Sequence, residues 1–357
     1  MMNKIKERYD WVDVSRAIAL IFVYLGHWVS MNLEAFAYTF HLQLFFIIAG
    51  FFAVKQEKKS VRQFISKRII GITIPFALWA WIGFVLNDSD VKNIGFKQIL
   101  SIFLEPNHIE PNYWFFPVIL SVSIVYYFFK RYFTSSGLIC LFSYVIYLFF
   151  GEIPVISEKC NVFLKLANLP VLNRINAWFS ISGIPQYLFW YALGAFSFEY
   201  IVRLVKYSKK NKKTVVRFHI TGLVLVFISS MLFFRRLESL YFIRSIIKVT
   251  FFFVNIKLIW TLIVCMAVIY MSIVLQESNL LQFIGKHTMA LMGLEFITHG
   301  YITLHFLPMI NLGLPNIDTT VDVVIITIIH LAINLMLVKW ICRYTPVLDG
   351  KLHTEKV

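Results

Sequence analysis

Long apolar runs follow one another along this chain, and they constrain its fold more than any other feature. A transmembrane helix needs about 20 predominantly apolar residues, because the hydrocarbon core of a bilayer is about 30 Å thick. Apolar runs of this kind, bounded by charged residues or loop signals, predict membrane-spanning helices. The predicted spans are 12–30, 36–54, 69–86, 113–129, 137–151, 177–202, 218–234, 256–275, 288–307 and 320–340.

Composition excludes the soluble and the disordered classes. The 357 residues are 59% hydrophobic and 15% charged, whereas a soluble domain is about 45–50% apolar and about 25% charged. Polar side chains are too few to cover a soluble globule, and disorder requires low hydrophobicity. We therefore predict an all-α polytopic membrane protein: a bundle of about ten transmembrane helices that forms a single domain over residues 1–357.

The net charge of +15 would suggest nucleic acid in a soluble protein, but cytosolic loops of membrane proteins are also rich in Lys and Arg. With the N-terminus inside, 23 of the 34 basic residues fall on inner segments, 10 on outer segments, and Arg16 within a span. We therefore predict cytosolic termini and no nucleic-acid partner. The outer loop 235–257 holds five of the outer cations. We interpret it as a helix on the membrane surface, with contact to an anionic substrate as the alternative.

Cysteine usage gives no sign of a redox or metal motif. Cys140, Cys160, Cys265 and Cys342 have no metal-ligand spacing. Three of the four lie in or beside apolar segments, so we expect no disulfide framework. The first apolar run carries an arginine and indicates a span rather than a cleavable signal peptide.

Ionisable residues inside the predicted spans indicate candidate functional sites. Inserting a charged side chain into the bilayer costs about 2.5–3.5 kcal/mol, so one that is present usually has a function or a partner. Arg16 and His27 are eleven positions apart in the first span. Eleven helical steps end about 20° from the start and about 16 Å along the axis. The two side chains therefore share one helix face, and Asp13 is placed to pair with Arg16. Snorkelling of Arg16 to lipid phosphates is the alternative.

Other spans carry candidate groups at a similar depth. His41 opens the second span, and the ninth span carries Glu295 and His299, which share one face. We expect Glu295 to pair with a histidine or with Arg16, because an unpaired carboxylate at mid-membrane would be neutral. Acid–base chemistry is the favoured use of these groups, and a metal site is the lesser one. The weaker candidates are His305 and His330; the histidines predicted to be solvated are His108, His219, His287 and His353.

Several segments together resemble the integral membrane acyltransferase-3 family, which includes O-acetyltransferases of bacterial surface polysaccharides. The Asp13-x-x-Arg16…His27 pattern resembles the family's Asp-x-x-(Arg/Lys)…His signature. The further segments that resemble family motifs, in order, are 38–51 (YTFHLQLFFIIAGF), 112–116 (NYWFF), 285–288 (GKHT) and 343–350 (RYTPVLDG). Where the family often has a histidine after the Gly-Lys turn, this chain has Glu295.

The resemblance implies transfer of an acetyl group from cytosolic acetyl-CoA, a co-substrate rather than a permanently bound cofactor, to a hydroxyl of a cell-surface or lipid-linked glycan. It implies a multi-pass protein of the bacterial plasma membrane. On this interpretation Arg16 binds the acyl-CoA phosphates, while His27, as general base, His41 and Glu295 are catalytic. Asp13, His299 and Trp114 support them, and no metal takes part. A transporter or flippase for lipid-linked sugars is the alternative, disfavoured by the lack of an internal repeat.

Overall fold

The computed structural model describes residues 9–28, 31–53, 60–87, 115–152, 183–208, 212–234, 250–303 and 320–351. These residues are almost entirely helical, and no strand occurs among them, which confirms the all-α prediction. The helices are α1 (Asp10–His27), α2 (Met31–Phe51), α3 (Val61–Arg68), α4 (Ile74–Asn87), α5 (Phe115–Tyr132), α6 (Ser136–Ile146), α7 (Ile184–Ser208), α8 (Lys212–Phe234), α9 (Thr250–Val274), α10 (Asn279–Lys286), α11 (Thr288–Tyr301) and α12 (Thr320–Tyr344).

Three short segments with other helical geometry complete the described chain. A π-helical segment, Ile69–Thr73, joins α3 to α4, and another, Tyr147–Glu152, follows α6. A 3-10 turn, Pro346–Asp349, follows α12. Serine caps fix several helix starts; Ser60, for example, forms a reciprocal capping box with Gln63 at the start of α3.

Each predicted span overlaps a helix. Five helical stretches are long and apolar enough to cross a bilayer, namely Val61–Gly83, Ile184–Tyr207, Lys213–Phe233, Val254–Val274 and Thr320–Tyr344. Shorter apolar helices cover Phe36–Phe51 and Ser136–Phe149. The chain is therefore a multi-pass helical membrane protein, whereas the total of ten spans and the cytosolic position of both termini stay predictions.

Helix α1 lies at the centre of the bundle and packs against α2, α9, α10, α11 and α12. Its position brings residues from distant parts of the sequence to one helix. On the other side of α2, α7 makes an extensive contact. There a Cβ on Gly50 would fall 2.1 Å from the Tyr191 carbonyl oxygen, and one on Gly194 would fall 2.0 Å from that of Ile47. Glycine at these two positions is what lets the α2 and α7 backbones approach so closely.

At one end of α1, the turn after α10 and the C-terminal turn close over the bundle. A Cβ on Gly285 would fall 1.8 Å from the Asp13 carbonyl oxygen, so α10 lies directly against α1. The Trp79 indole Nε1 donates a hydrogen bond of 2.9 Å to the Leu348 carbonyl and holds the C-terminal turn to α4.

The structure changes one boundary in the predicted topology. Helix α9 begins at Thr250, so residues 250–257 belong to a long helix of 25 residues rather than to a separate surface helix. The reason is that the sequence from Thr250 onward is mostly apolar, and Lys257 does not interrupt the helix. Segment 235–249 lies outside the described residues.

Candidate active site

Two titratable side chains meet where α1 packs against α11. His27 Nδ1 lies 2.9 Å from Glu295 Oε1, and the Glu295 side chain is only 3% exposed. His27 ends α1, and its side chain is 25% exposed. The sequence predicted that Glu295 pairs with a histidine or with Arg16. In the structure its partner is His27. A histidine held by a carboxylate through one ring nitrogen keeps the other for acid–base chemistry.

A small cavity adjoins this pair, with a volume of about 70 Å³. It lies between α1, α2, α5 and α11 and mixes titratable groups with aromatic walls. The titratable lining consists of His27, Tyr38, His41 and Glu295, and the aromatic walls are Phe115, Phe116 and Phe296. The cavity therefore gathers His27, His41 and Glu295, which the sequence placed at similar depths on three different spans. Trp114, predicted as a supporting residue, lies outside the described residues.

His41 is buried, with 2% of its surface exposed. Its Nδ1 forms a hydrogen bond with the Ala37 carbonyl one turn earlier on α2. Because a carbonyl oxygen only accepts, Nδ1 carries the proton, and Nε2 is the nitrogen left to accept one. The Tyr38 ring packs edge-on against His41 with the centroids 5.0 Å apart. Tyr38 was not among the predicted site residues. Its position three residues before His41 on a helix nevertheless indicates that the two side chains share one face.

A second group of polar side chains lies behind Glu295, away from the cavity. His299 Nδ1 is 3.9 Å from Glu295 Oε1, and the His299 ring lies against the Trp28 ring at 4.3 Å. His330 is fully buried and its Nε2 lies 2.7 Å from the Thr298 hydroxyl. The ligand atoms of Glu295, His299 and His330 lie within 4.8 Å of one another, a grouping that can hold a metal ion.

Arg16 lies on the same helix as His27, about three turns closer to its N-terminus. Its guanidinium Nη1 lies 3.4 Å from Asp13 Oδ1, and the Arg16 side chain is 29% exposed. The guanidinium carbon also lies 4.7 Å from the centre of the Phe52 ring. The predicted pairing with Asp13 is confirmed. Stacking and pairing hold the cation at the helix surface while leaving part of it accessible, which suits contact with an anionic group.

The prediction that His287 is solvated is wrong. His287 is 4% exposed, and its Nδ1 lies 2.7 Å from Asp349 Oδ2. The reason is that the C-terminal turn folds back over the turn between α10 and α11, a long-range contact that local sequence does not reveal. His219 is exposed, with Nδ1 3.0 Å from the Tyr270 hydroxyl. His108, His305 and His353 lie outside the described residues.

Cys140, Cys265 and Cys342 form no disulfide among the described residues, and Cys160 lies outside them.

Comparison with known protein families gives a match over most of the chain. A family model described as an acyltransferase domain, that of the acyltransferase-3 family, matches residues 9–339. The match includes both partners of the His27–Glu295 pair, together with Arg16 and His41. No curated protein and no solved structure matches the chain. Because the family match covers far more than half of the sequence, the chain is a membrane acyltransferase of the acyltransferase-3 family.

Proposed function

We propose that this protein transfers an acetyl group from acetyl-CoA to a hydroxyl of a cell-surface or lipid-linked glycan, at the plasma membrane of a bacterium. The observation that carries the proposal is the 2.9 Å contact between His27 and Glu295 beside a cavity. A histidine–carboxylate pair is the acid–base unit that acyl transfer to a hydroxyl needs, since the hydroxyl must lose its proton as it attacks.

In the proposed reaction, His27 is the general base. Its Nδ1 faces the Glu295 carboxylate at 2.9 Å, which favours the tautomer with the proton on Nδ1, so Nε2 removes the proton from the attacking hydroxyl. The hydroxyl oxygen forms a bond to the thioester carbonyl carbon, the carbon–sulfur bond breaks, and the proton passes from His27 to the departing coenzyme A sulfur. Glu295 fixes the ring orientation and stabilises the imidazolium formed in between, as the third member of a catalytic triad does.

His41 is assigned a separate role in the same cavity. Because its Nδ1 proton is committed to the Ala37 carbonyl, its Nε2 accepts a hydrogen bond from a hydroxyl of the acceptor other than the attacking one, which positions the attacking hydroxyl beside His27. Asp13, His299 and Trp114 remain supporting residues, Asp13 through its contact with Arg16.

The donor site is assigned to the Arg16 end of α1. Coenzyme A carries phosphates, and a guanidinium binds phosphate oxygens through two parallel hydrogen bonds. Arg16 and His27 lie on one helix about 16 Å apart along its axis, so one extended donor can reach both. No resident cofactor takes part in this scheme.

The cavity size supports a short acyl group. Its volume is about 70 Å³, which is enough for an acetyl group beside His27 and small for a long acyl chain.

The test is mass spectrometry of surface glycan from cells that express the wild-type protein, Arg16→Ala or His27→Ala at equal membrane levels. We expect O-acetyl groups with the wild type and their loss with both variants. Arg203→Ala is the matched control, because Arg203 is an exposed cation whose contact is with Glu199 on its own helix. Full acetylation by both Arg16→Ala and His27→Ala contradicts the proposal.

A further inference from the structure

A second cluster of reactive side chains is buried near the Asp13 end of α1, apart from the cavity lined by His27. His287 Nδ1 lies 2.7 Å from Asp349 Oδ2 and 3.0 Å from Cys342 Sγ. Cys342 Sγ and Asp349 Oδ2 are 3.9 Å apart. Lys351 Nζ approaches the same carboxylate oxygen at 3.0 Å from the outer side.

The fold holds these groups together through close backbone packing. His287 comes from the turn between α10 and α11, Cys342 from the end of α12, and Asp349 from the following 3-10 turn. Gly350 has a φ of 72°, and a Cβ there would fall 2.9 Å from the Gly71 carbonyl oxygen. Glycine is therefore required twice over at this turn, for its left-handed backbone and for the space, and the turn fixes the neighbouring Asp349.

The geometry excludes a catalytic triad at this cluster. In a triad the nucleophile and the carboxylate bind different nitrogens of the histidine, whereas here both contact Nδ1 of His287. Three donor atoms this close together could instead be the ligands of one metal ion. The Nδ1, Sγ and carboxylate oxygen all lie within 4.8 Å of one another, and all three residues are buried.

An orphaned polar atom adds an independent observation. Asp349 Oδ1 is buried and has no hydrogen-bond partner among the described residues, and the Asp349 side chain is 0% exposed. A buried carboxylate oxygen without a partner costs free energy, which a cation bound by both carboxylate oxygens would recover.

We propose that His287, Cys342 and Asp349 form a binding site for a divalent transition-metal ion of the zinc class. A thiolate and an imidazole beside one carboxylate favour Zn²⁺ over Mg²⁺ or Ca²⁺, which prefer oxygen ligands. Three protein ligands leave a fourth tetrahedral position for water or another group. The proposal does not depend on the acyl-transfer chemistry assigned to His27.

Metal binding at this site has a defined proton balance. The Cys342 thiol loses its proton to solvent and becomes a thiolate ligand. The His287 proton moves from Nδ1 to Nε2, so Nδ1 can donate its lone pair to the metal with no net change. Lys351, whose side chain is 24% exposed, is repelled by the bound metal cation and turns to solvent.

The experiment uses the full chain, purified in detergent, stripped of metal and titrated with Co²⁺, which reports thiolate ligation through a charge-transfer absorption band. We expect one Co²⁺ per chain with that band, and its displacement by Zn²⁺. Cys342→Ser should abolish the band, while Cys140→Ser, which changes a cysteine outside the cluster, should retain it. His287→Gln should weaken Co²⁺ binding by at least about tenfold.

Lys351→Met separates metal binding from a purely structural ion pair. Loss of the competing cation should leave Co²⁺ affinity unchanged or tighter if the site binds metal. Absence of the band in folded wild-type protein overturns the proposal whatever the variants do. So does Co²⁺ bound without the band, which would indicate the Glu295, His299 and His330 group, and so does a band that persists in folded Cys342→Ser.

Discussion

Tyr24 of α1 donates a hydrogen bond of 2.8 Å from its hydroxyl to the Leu291 carbonyl of α11, and this contact fixes the register of the two helices. His27 lies about one turn beyond Tyr24, and Glu295 lies about one turn beyond Leu291. The same register therefore brings His27 beside Glu295. The proposed catalytic pair of His27 and Glu295 therefore depends on the Tyr24–Leu291 hydrogen bond, which lies about one helical turn away.

Glu295→Gln keeps the size of the side chain and removes its charge, so it tests the proposed orienting role. We expect kcat to fall by about 10²-fold or more, within the range of general acid–base catalysis, with KM for acetyl-CoA little changed. His299→Gln is the control, because its contact with Glu295 is longer, at 3.9 Å, and it should lose less activity. Equal losses in the two variants would contradict a specific role for Glu295. The measurement is steady-state kinetics of the purified enzymes.

Arg16→Ala tests donor binding. A hydrogen bond to a charged group contributes about 1.5–3 kcal/mol, so KM for acetyl-CoA should rise by about 10- to 100-fold, with a smaller effect on kcat. Arg203→Ala, which removes an exposed cation elsewhere, should leave KM unchanged. If Arg16→Ala binds acetyl-CoA normally in a direct titration, the assignment of Arg16 to the donor site is wrong.

The Tyr24 hydrogen-bond network predicts a non-additive pair of substitutions. Asn334 Nδ2 donates a 2.9 Å hydrogen bond to the Tyr24 hydroxyl, so Tyr24→Phe leaves a buried amide unpaired and should destabilise the fold by about 1–3 kcal/mol. The double variant Tyr24→Phe with Asn334→Leu should be less destabilised than the sum of the two single variants, since it removes both partners. Strict additivity of the thermal unfolding shifts in detergent would argue against this network.

Gly194→Ala tests the close contact between α2 and α7. The added Cβ would meet the Ile47 carbonyl oxygen at 2.0 Å, which forces the helices apart and should destabilise the protein by about 1–3 kcal/mol or more. Gly300→Ala is the control, because its Cβ would meet no atom of the described residues within 4 Å. It should be neutral or slightly stabilising. A thermal unfolding midpoint for Gly194→Ala equal to that of the wild type would show that the contact is looser than described.

The helical class and the candidate site residues could be predicted from the sequence, because both follow from the local pattern of apolar and ionisable residues. Long apolar runs indicate helices, and Arg16, His27 and Glu295 stand out as ionisable groups in apolar surroundings. Which groups meet was harder to predict. The choice of His27 over Arg16 as the partner of Glu295 depends on the register between α1 and α11. The burial of His287 depends on a C-terminal turn that packs against it from far along the chain, and no periodicity reports such a contact.

The role of His27 as general base is tested by single-turnover acyl transfer with purified His27→Ala, measured beside its binding of acetyl-CoA. We expect His27→Ala to bind acetyl-CoA as tightly as the wild type but to transfer its acetyl group to the acceptor at least about 10²-fold more slowly. If folded His27→Ala transfers the acetyl group at the wild-type rate, His27 is not the general base.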